Sequence, residues 1–128
     1  MKKALSLGIL FVFALIASGF AAPADKTRIA VVSKGNAAAS DVSPEAARGP
    51  YFLIFDGKGV FIEALNNPHK NAGGGASALV VDFLSGKGAT TIVAGTFGDK
   101  MVAAMKAKRI NYLEFVGTAA DAVKKVVQ

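Results

Sequence analysis

Apolar positions along the chain change period twice, and the changes mark out the elements. Arg28 to Ser33, RIAVVS, carries four successive apolar residues with no alternation, the pattern of a strand buried on both faces. Tyr51 to Phe55, YFLIF, repeats that pattern, and Val60 to Leu65 gives a third strand. Between the last two, Asp56-Gly57-Lys58-Gly59 is a turn signal, so these strands should form a hairpin. The period then changes: Ala76, Leu79, Val80, Phe83 and Leu84 fall on one face of a helix that Gly86-Lys87-Gly88 should end. Ala89 to Ala94 is a fourth strand, Met101, Val102 and Met105 form the apolar side of a second helix, and Ile110 to Phe115 is a fifth strand. Thr118-Ala119-Ala120-Asp121 resembles a capping box and opens a last helix that should bury Ala122, Val123, Val126 and Val127. The order is β-β-β-α-β-α-β-α, a hairpin followed by crossovers, which predicts an α/β fold with a five-stranded mixed sheet and flanking helices.

Lys34 to Pro50 does not fit either period. It is polar, rich in Gly and Ala, and carries Pro44, so it reads as a long loop with room for one helical turn. A loop of that length in a compact domain usually serves a site.

The first residues carry an address. Met1-Lys2-Lys3 is a positive start, Leu5 to Phe20 is an apolar run, and Gly19-Phe20-Ala21 supplies small residues for a peptidase. This is the layout of a secretory signal peptide over residues 1–21, with a retained anchor as its rival. Residues 22–26 then form a linker and 27–128 a single domain, periplasmic or secreted, with no membrane contact once the leader is removed. The chain has no cysteine, so an exported fold of this size must be stabilised by burial without disulfides, and thiolate-held zinc or iron–sulfur sites are excluded within one chain. Lys and Arg number 15 against 9 Asp and Glu. Lys106, Lys108 and Arg109 near a helix end complement the dipole there, and no aromatic residues interleave with them, which speaks against nucleic acid.

Catalytic constellations are weak. His69 is the only histidine and lies in a glycine-rich loop with no nucleophile motif beside it. Asp56 begins a turn and Asp99 sits where a helix start favours negative charge, so neither requires a catalytic role. The glycine-rich stretches are more suggestive. Gly73-Gly74-Gly75 and Gly95-Thr96-Phe97-Gly98 both precede helices, where free backbone N–H groups and the positive dipole end can hold an anion. Neither has the spacing of a P-loop or dinucleotide fingerprint. Arg48 in the long loop is the remaining polar candidate.

In this order and spacing, RIAVVSKG, RGPYFLIFD, NNPHKNAGGGAS and TIVAGTFGDKM resemble the dinitrogenase iron-molybdenum cofactor biosynthesis family, over about Thr27 to Val127. The resemblance implies a ribonuclease H-like fold and a non-enzymatic role. Family members bind, carry or help assemble molybdenum- and iron–sulfur-containing clusters. Carried over residue by residue, it implies ligand contacts from Arg48, Tyr51, Asn67, Gly74, Gly75, Gly95, Thr96, Phe97 and Gly98; from the same loop, Gly73 joins them as a backbone contact and His69 as a candidate metal ligand. The implied partner is a metal cluster or small anion at the loop edge of the sheet. The alternative is an exported structural or protein-interaction module that has lost the ligand. Ala46-Ala47 stand where the family commonly has an aromatic-glycine pair.

Overall fold

A computed structural model describes residues 26–128. The leader assigned to residues 1–21 and most of the linker therefore lie outside the described residues. The chain forms β1 (Arg28–Ser33), β2 (Tyr51–Asp56), β3 (Phe61–Asn66), α1 (Ala76–Gly86), β4 (Thr91–Ala94), α2 (Asp99–Ala107), β5 (Asn111–Glu114) and α3 (Ala119–Val127). The strands make one mixed sheet in the order β3-β2-β1-β4-β5. β2 runs antiparallel to β1 and β3, while β4 is parallel to β1 and β5. Element order and class are those the apolar pattern predicts.

Alternate residues of the central strands feed two cores. Ala30, Val32, Phe52, Ile54, Ile92 and Ala94 face α1 and α2, where they meet Val80, Val81, Leu84, Met101 and Met105. Ile29, Val31, Leu53, Phe55 and Val93 face α3, where they meet Ala119, Ala122 and Val123. Strands covered on both faces need no polar side, which is why β1 and β2 are almost continuously apolar. Residues 26–128 thus contain a full sheet with a helical layer on each face, which is what a domain needs to fold alone.

The boundaries differ from expectation where the chain spends backbone groups on something else. Val60 does not belong to β3. Its carbonyl accepts from the Asp56 amide at 2.9 Å, closing the hairpin turn, and it is 57% exposed. Ala89 precedes β4 because its amide donates to the Leu84 carbonyl and finishes α1. Leu79 and Val127, both expected in the core, are each 40% exposed. α1 packs on α2 as well as on the sheet, so its buried arc runs through Ala76, Val80, Val81 and Leu84 and leaves Leu79 on the outer flank. Val127 ends α3 beside the hairpin turn, past the cover of the sheet.

No helix forms in residues 34–50. The loop folds back instead through single bridges, Ser33 to Val42, Asp41 to Thr118 and Glu45 to Thr96, and it buries Val42, Ser43 and Ala46.

Candidate ligand-binding site

The topology sends four connections to one end of the sheet. Ser33, at the end of β1, pairs with Tyr51, at the start of β2, and Tyr51 pairs with Asn66, at the end of β3. The carboxyl ends of β4 and β5 lie on the same side. The loops 34–50, 67–75, 95–98 and 115–118 therefore gather where ligands of open α/β sheets usually bind.

Two of these loops are joined by polar side chains. Asn67 is 4% exposed, and its Nδ2 donates to the carbonyls of Ala47 and Gly49 at 3.0 and 2.9 Å. Its Oδ1 accepts from the His69 amide at 2.8 Å. Arg48 reaches across, and its Nη1 donates to the carbonyls of Lys70 and Ala72 at 3.0 and 2.8 Å. Among the described residues the rest of its guanidinium has no partner, so Nε and Nη2 keep N–H groups free to donate.

Arg48 lies on one wall of a cleft of about 240 Å³. Ala47 shares that wall, the first turn of α1 from Gly75 to Ala78 makes the other, and Lys100 of α2 completes it. α1 enters the cleft uncapped. Gly75 has φ +69°, which a residue without Cβ adopts freely, and it offers no side chain to the first amides of the helix. A side chain at Gly73, Gly74 or Gly75 would meet nothing within 4 Å, so this backbone is open to a ligand. The start of α3 is the contrast, because Ala119 and Ala120 donate to the carbonyls of Ser40 and Ala38 and Thr118 caps Asp121. The start of α3 is already satisfied by the fold; the starts of α1 and α2 have no side-chain cap.

The other expected residues separate from this cleft. Gly95 and Thr96 donate their amides to the carbonyls of Ser43 and Pro44 at 2.8 and 3.0 Å, and Phe97 donates to Glu114 Oε2 at 3.2 Å. A Cβ on Gly95 would lie 2.7 Å from Pro44 Cα, so this glycine permits close packing of two loops. Gly98 opens α2 in an extended conformation and has free space around it. Tyr51 shares its strand face with Leu53 and Phe55, which pack toward α3, and so points away from the Arg48 side. His69 stands edge-on to Phe83, with ring centroids 6.2 Å apart. Among the described residues there is no group of three His, Cys, Asp or Glu that could hold a metal ion.

Lys100 was not singled out by sequence reasoning. A signal existed, because a lysine in the first turn of a helix faces the positive dipole end and is unfavourable without a negative neighbour. Asp99 supplies part of that charge.

A second cleft, of about 330 Å³, opens across the same loops between Lys34, Asp41, Pro44 and Phe115 to Gly117. It is mostly apolar, and its lysine shares the wall with an aspartate. The Arg48 cleft therefore suits an anion better. Its donors also decide which metal species fits. A bare cation would find two positive side chains and backbone N–H groups, and no ligand set. A preformed cluster that brings its own sulfide or oxide ligands and carries negative charge fits such donors.

The family model for dinitrogenase iron-molybdenum cofactor matches residues 26–128, and the chain belongs to that family. Among solved structures it is similar to the apo form of the orange protein from Desulfovibrio gigas, with 25% identity, a TM-score of 0.74, and coverage of 79% of this chain and 87% of that one. It is also similar to a Thermotoga protein, a candidate NifB of the DUF35 family, with 30% identity, a TM-score of 0.67, and coverage of 78% and 86%. A search of curated proteins found no match.

Proposed function

We propose that this domain is a non-catalytic binder or carrier of an anionic, metal-containing cluster, exported to the periplasm or beyond. Family membership supports the ligand class. The observation that carries the reading is the convergence of Arg48, Lys100 and the uncapped start of α1 on one cleft. In this scheme the cluster's own inorganic ligands face the protein. The Arg48 guanidinium and the Lys100 ammonium offset its charge, and the first amides of α1 donate hydrogen bonds to it. Asn67 does not touch the ligand; it fixes the loop that positions Arg48. The metal is not ligated by cysteine thiolate, since the chain has no cysteine.

The test is to offer the purified domain molybdate, thiomolybdate, iron or copper, desalt it, and measure retained metal by elemental analysis. Stoichiometric retention of a sulfide-bearing anion is expected, with about a tenfold loss for Lys100→Ala and for Arg48→Ala. No retention of any of the four sinks the proposal. Intact mass of the exported protein tests the leader, with Ala22 expected as the first residue.

A further inference from the structure

The end of the molecule opposite the cleft has a surface character of its own. α1, α2 and α3 finish there, bringing Lys87, Lys106, Lys108, Arg109, Lys124 and Lys125. The β2–β3 turn adds Lys58, which shares a groove with Lys124, and the start of β1 adds Lys26 and Arg28, with Arg28 opposite Asp56. Helix dipoles account for cations at helix ends. They do not account for Lys26, just before β1, Arg28, on it, or Lys58, in the hairpin turn. Two carboxylates nearby are already engaged: Asp56 accepts from the amides of Lys58 and Val60, and Asp82 pairs with Lys108 at 3.3 Å.

Apolar side chains project among these cations. Val60, Phe61 and Ile62, on the hairpin, are 57, 42 and 45% exposed, and Val127 shares a groove with Phe61. Exposed apolar residues clustered within a basic rim mark a surface that meets another phase or partner.

The chain outside the described residues indicates which. Its apolar run ends at Phe20, and the six residues from there to Lys26 reach at most about 20 Å. If that run enters a bilayer, during export or as an anchor, this end of the domain is the one held against the lipid. We propose that the cationic end, from the hairpin turn to the last turn of α3, docks on an anionic phospholipid bilayer. The lysines and arginines meet the headgroups and Val60, Phe61 and Ile62 enter the interface. The loop edge with the Arg48 cleft then faces away from the membrane and stays open.

Cations alone would equally suit a nucleic-acid backbone, so the experiment includes one. Residues 22–128 are sedimented with phosphatidylcholine vesicles, with vesicles containing 30% phosphatidylglycerol, and against a single-stranded oligonucleotide, at low and high salt. Binding only to the phosphatidylglycerol vesicles, released by salt, is expected, with about a fivefold loss for each of Lys58→Gln, Lys124→Gln and Lys125→Gln. Lys34→Gln and Lys70→Gln, at the other end, should bind as the parent does. Because the chain has no cysteine, a polarity-sensitive dye on Ile62→Cys or Asn36→Cys reports each end separately. The dye at position 62 alone should shift to the blue. Absence of vesicle binding, equal loss from both sets of lysines, equal shifts of both dyes, or equally tight oligonucleotide binding would each overturn the proposal. None of these outcomes depends on cluster binding at the Arg48 cleft.

Discussion

Asn67 spends its whole carboxamide inside the protein, on two carbonyls and one amide. Replacing it with alanine leaves those groups without partners where water has little access. Asn67→Ala should cost about 2–3 kcal/mol in urea denaturation and loosen the Arg48 loop. In the sequence it is one of two adjacent asparagines before Pro68, and burial alone separates it from Asn66. The family resemblance implied a ligand contact here; the structure gives the carboxamide to three backbone groups of the protein. Asp56 is a different case. Hydrogen bonds from the Val60 amide, opposed by partial desolvation and helped by the Lys58 amide and by the charges of Arg28 and Lys58, hold its carboxyl below the usual aspartate range. A lowered folded-state value means its contribution to stability is present above the unfolded value, near pH 4, and is lost as pH falls through the folded one. Asp56→Asn should therefore flatten the acid limb of stability, measured by denaturation between pH 7 and pH 2.

Helix ends show how much of each element is written locally. α1 and α2 finish in the same motif. Beyond α1, Gly88 and Ala89 donate to Ser85 and Leu84; beyond α2, Arg109 and Ile110 donate to Lys106 and Met105. Both need a left-handed residue, and Gly88 has φ +84° while Arg109 is held at +60°. Arg109→Gly should stabilise the protein by about 0.5–1 kcal/mol, seen as a raised melting temperature. α3 starts on Thr118, whose Oγ1 accepts from Asp121 at 3.1 Å, and Thr118→Ala should cost about 1 kcal/mol. The glycines around α2 divide in a way that spacing alone does not show. Gly95→Ala pushes a methyl into Pro44 and should cost about 1–3 kcal/mol, whereas Gly98→Ala meets open space at φ −76° and should stay within about 0.5 kcal/mol. Periodicity placed α1, α2 and α3. It could not place Leu79, because which flank of an amphipathic helix is covered depends on the neighbour it packs against.

At the scale of the molecule, element order and a mixed sheet followed from uninterrupted apolar runs and one hairpin, whereas the strand order β3-β2-β1-β4-β5 is seen only in the structure. The site was legible only in part. Arg48 and Gly75 line one cleft, while Tyr51 and the amides of Gly95 to Phe97 serve the fold, and Lys100 joins the cleft once α2 is laid beside α1. The same sheet order constrains how the chain assembles. β1 lies at the centre, and one of its two partners, β2, follows within a loop's length. The other, β4, begins only at Thr91, after β2, β3 and α1 have all been made. A chain emerging from its amino terminus can therefore complete the β1–β2–β3 meander early, yet one side of Ile29 to Val32 keeps unpaired backbone groups until the carboxyl half arrives. A fragment ending at Gly75 should aggregate through that exposed β1 edge, and adding residues 76–128 as a separate chain should suppress it, as followed by light scattering. A soluble, monomeric fragment 26–75 would show that the meander protects β1 unaided. The late arrival of β4 makes this protein's solubility during synthesis a matter of timing as well as of composition.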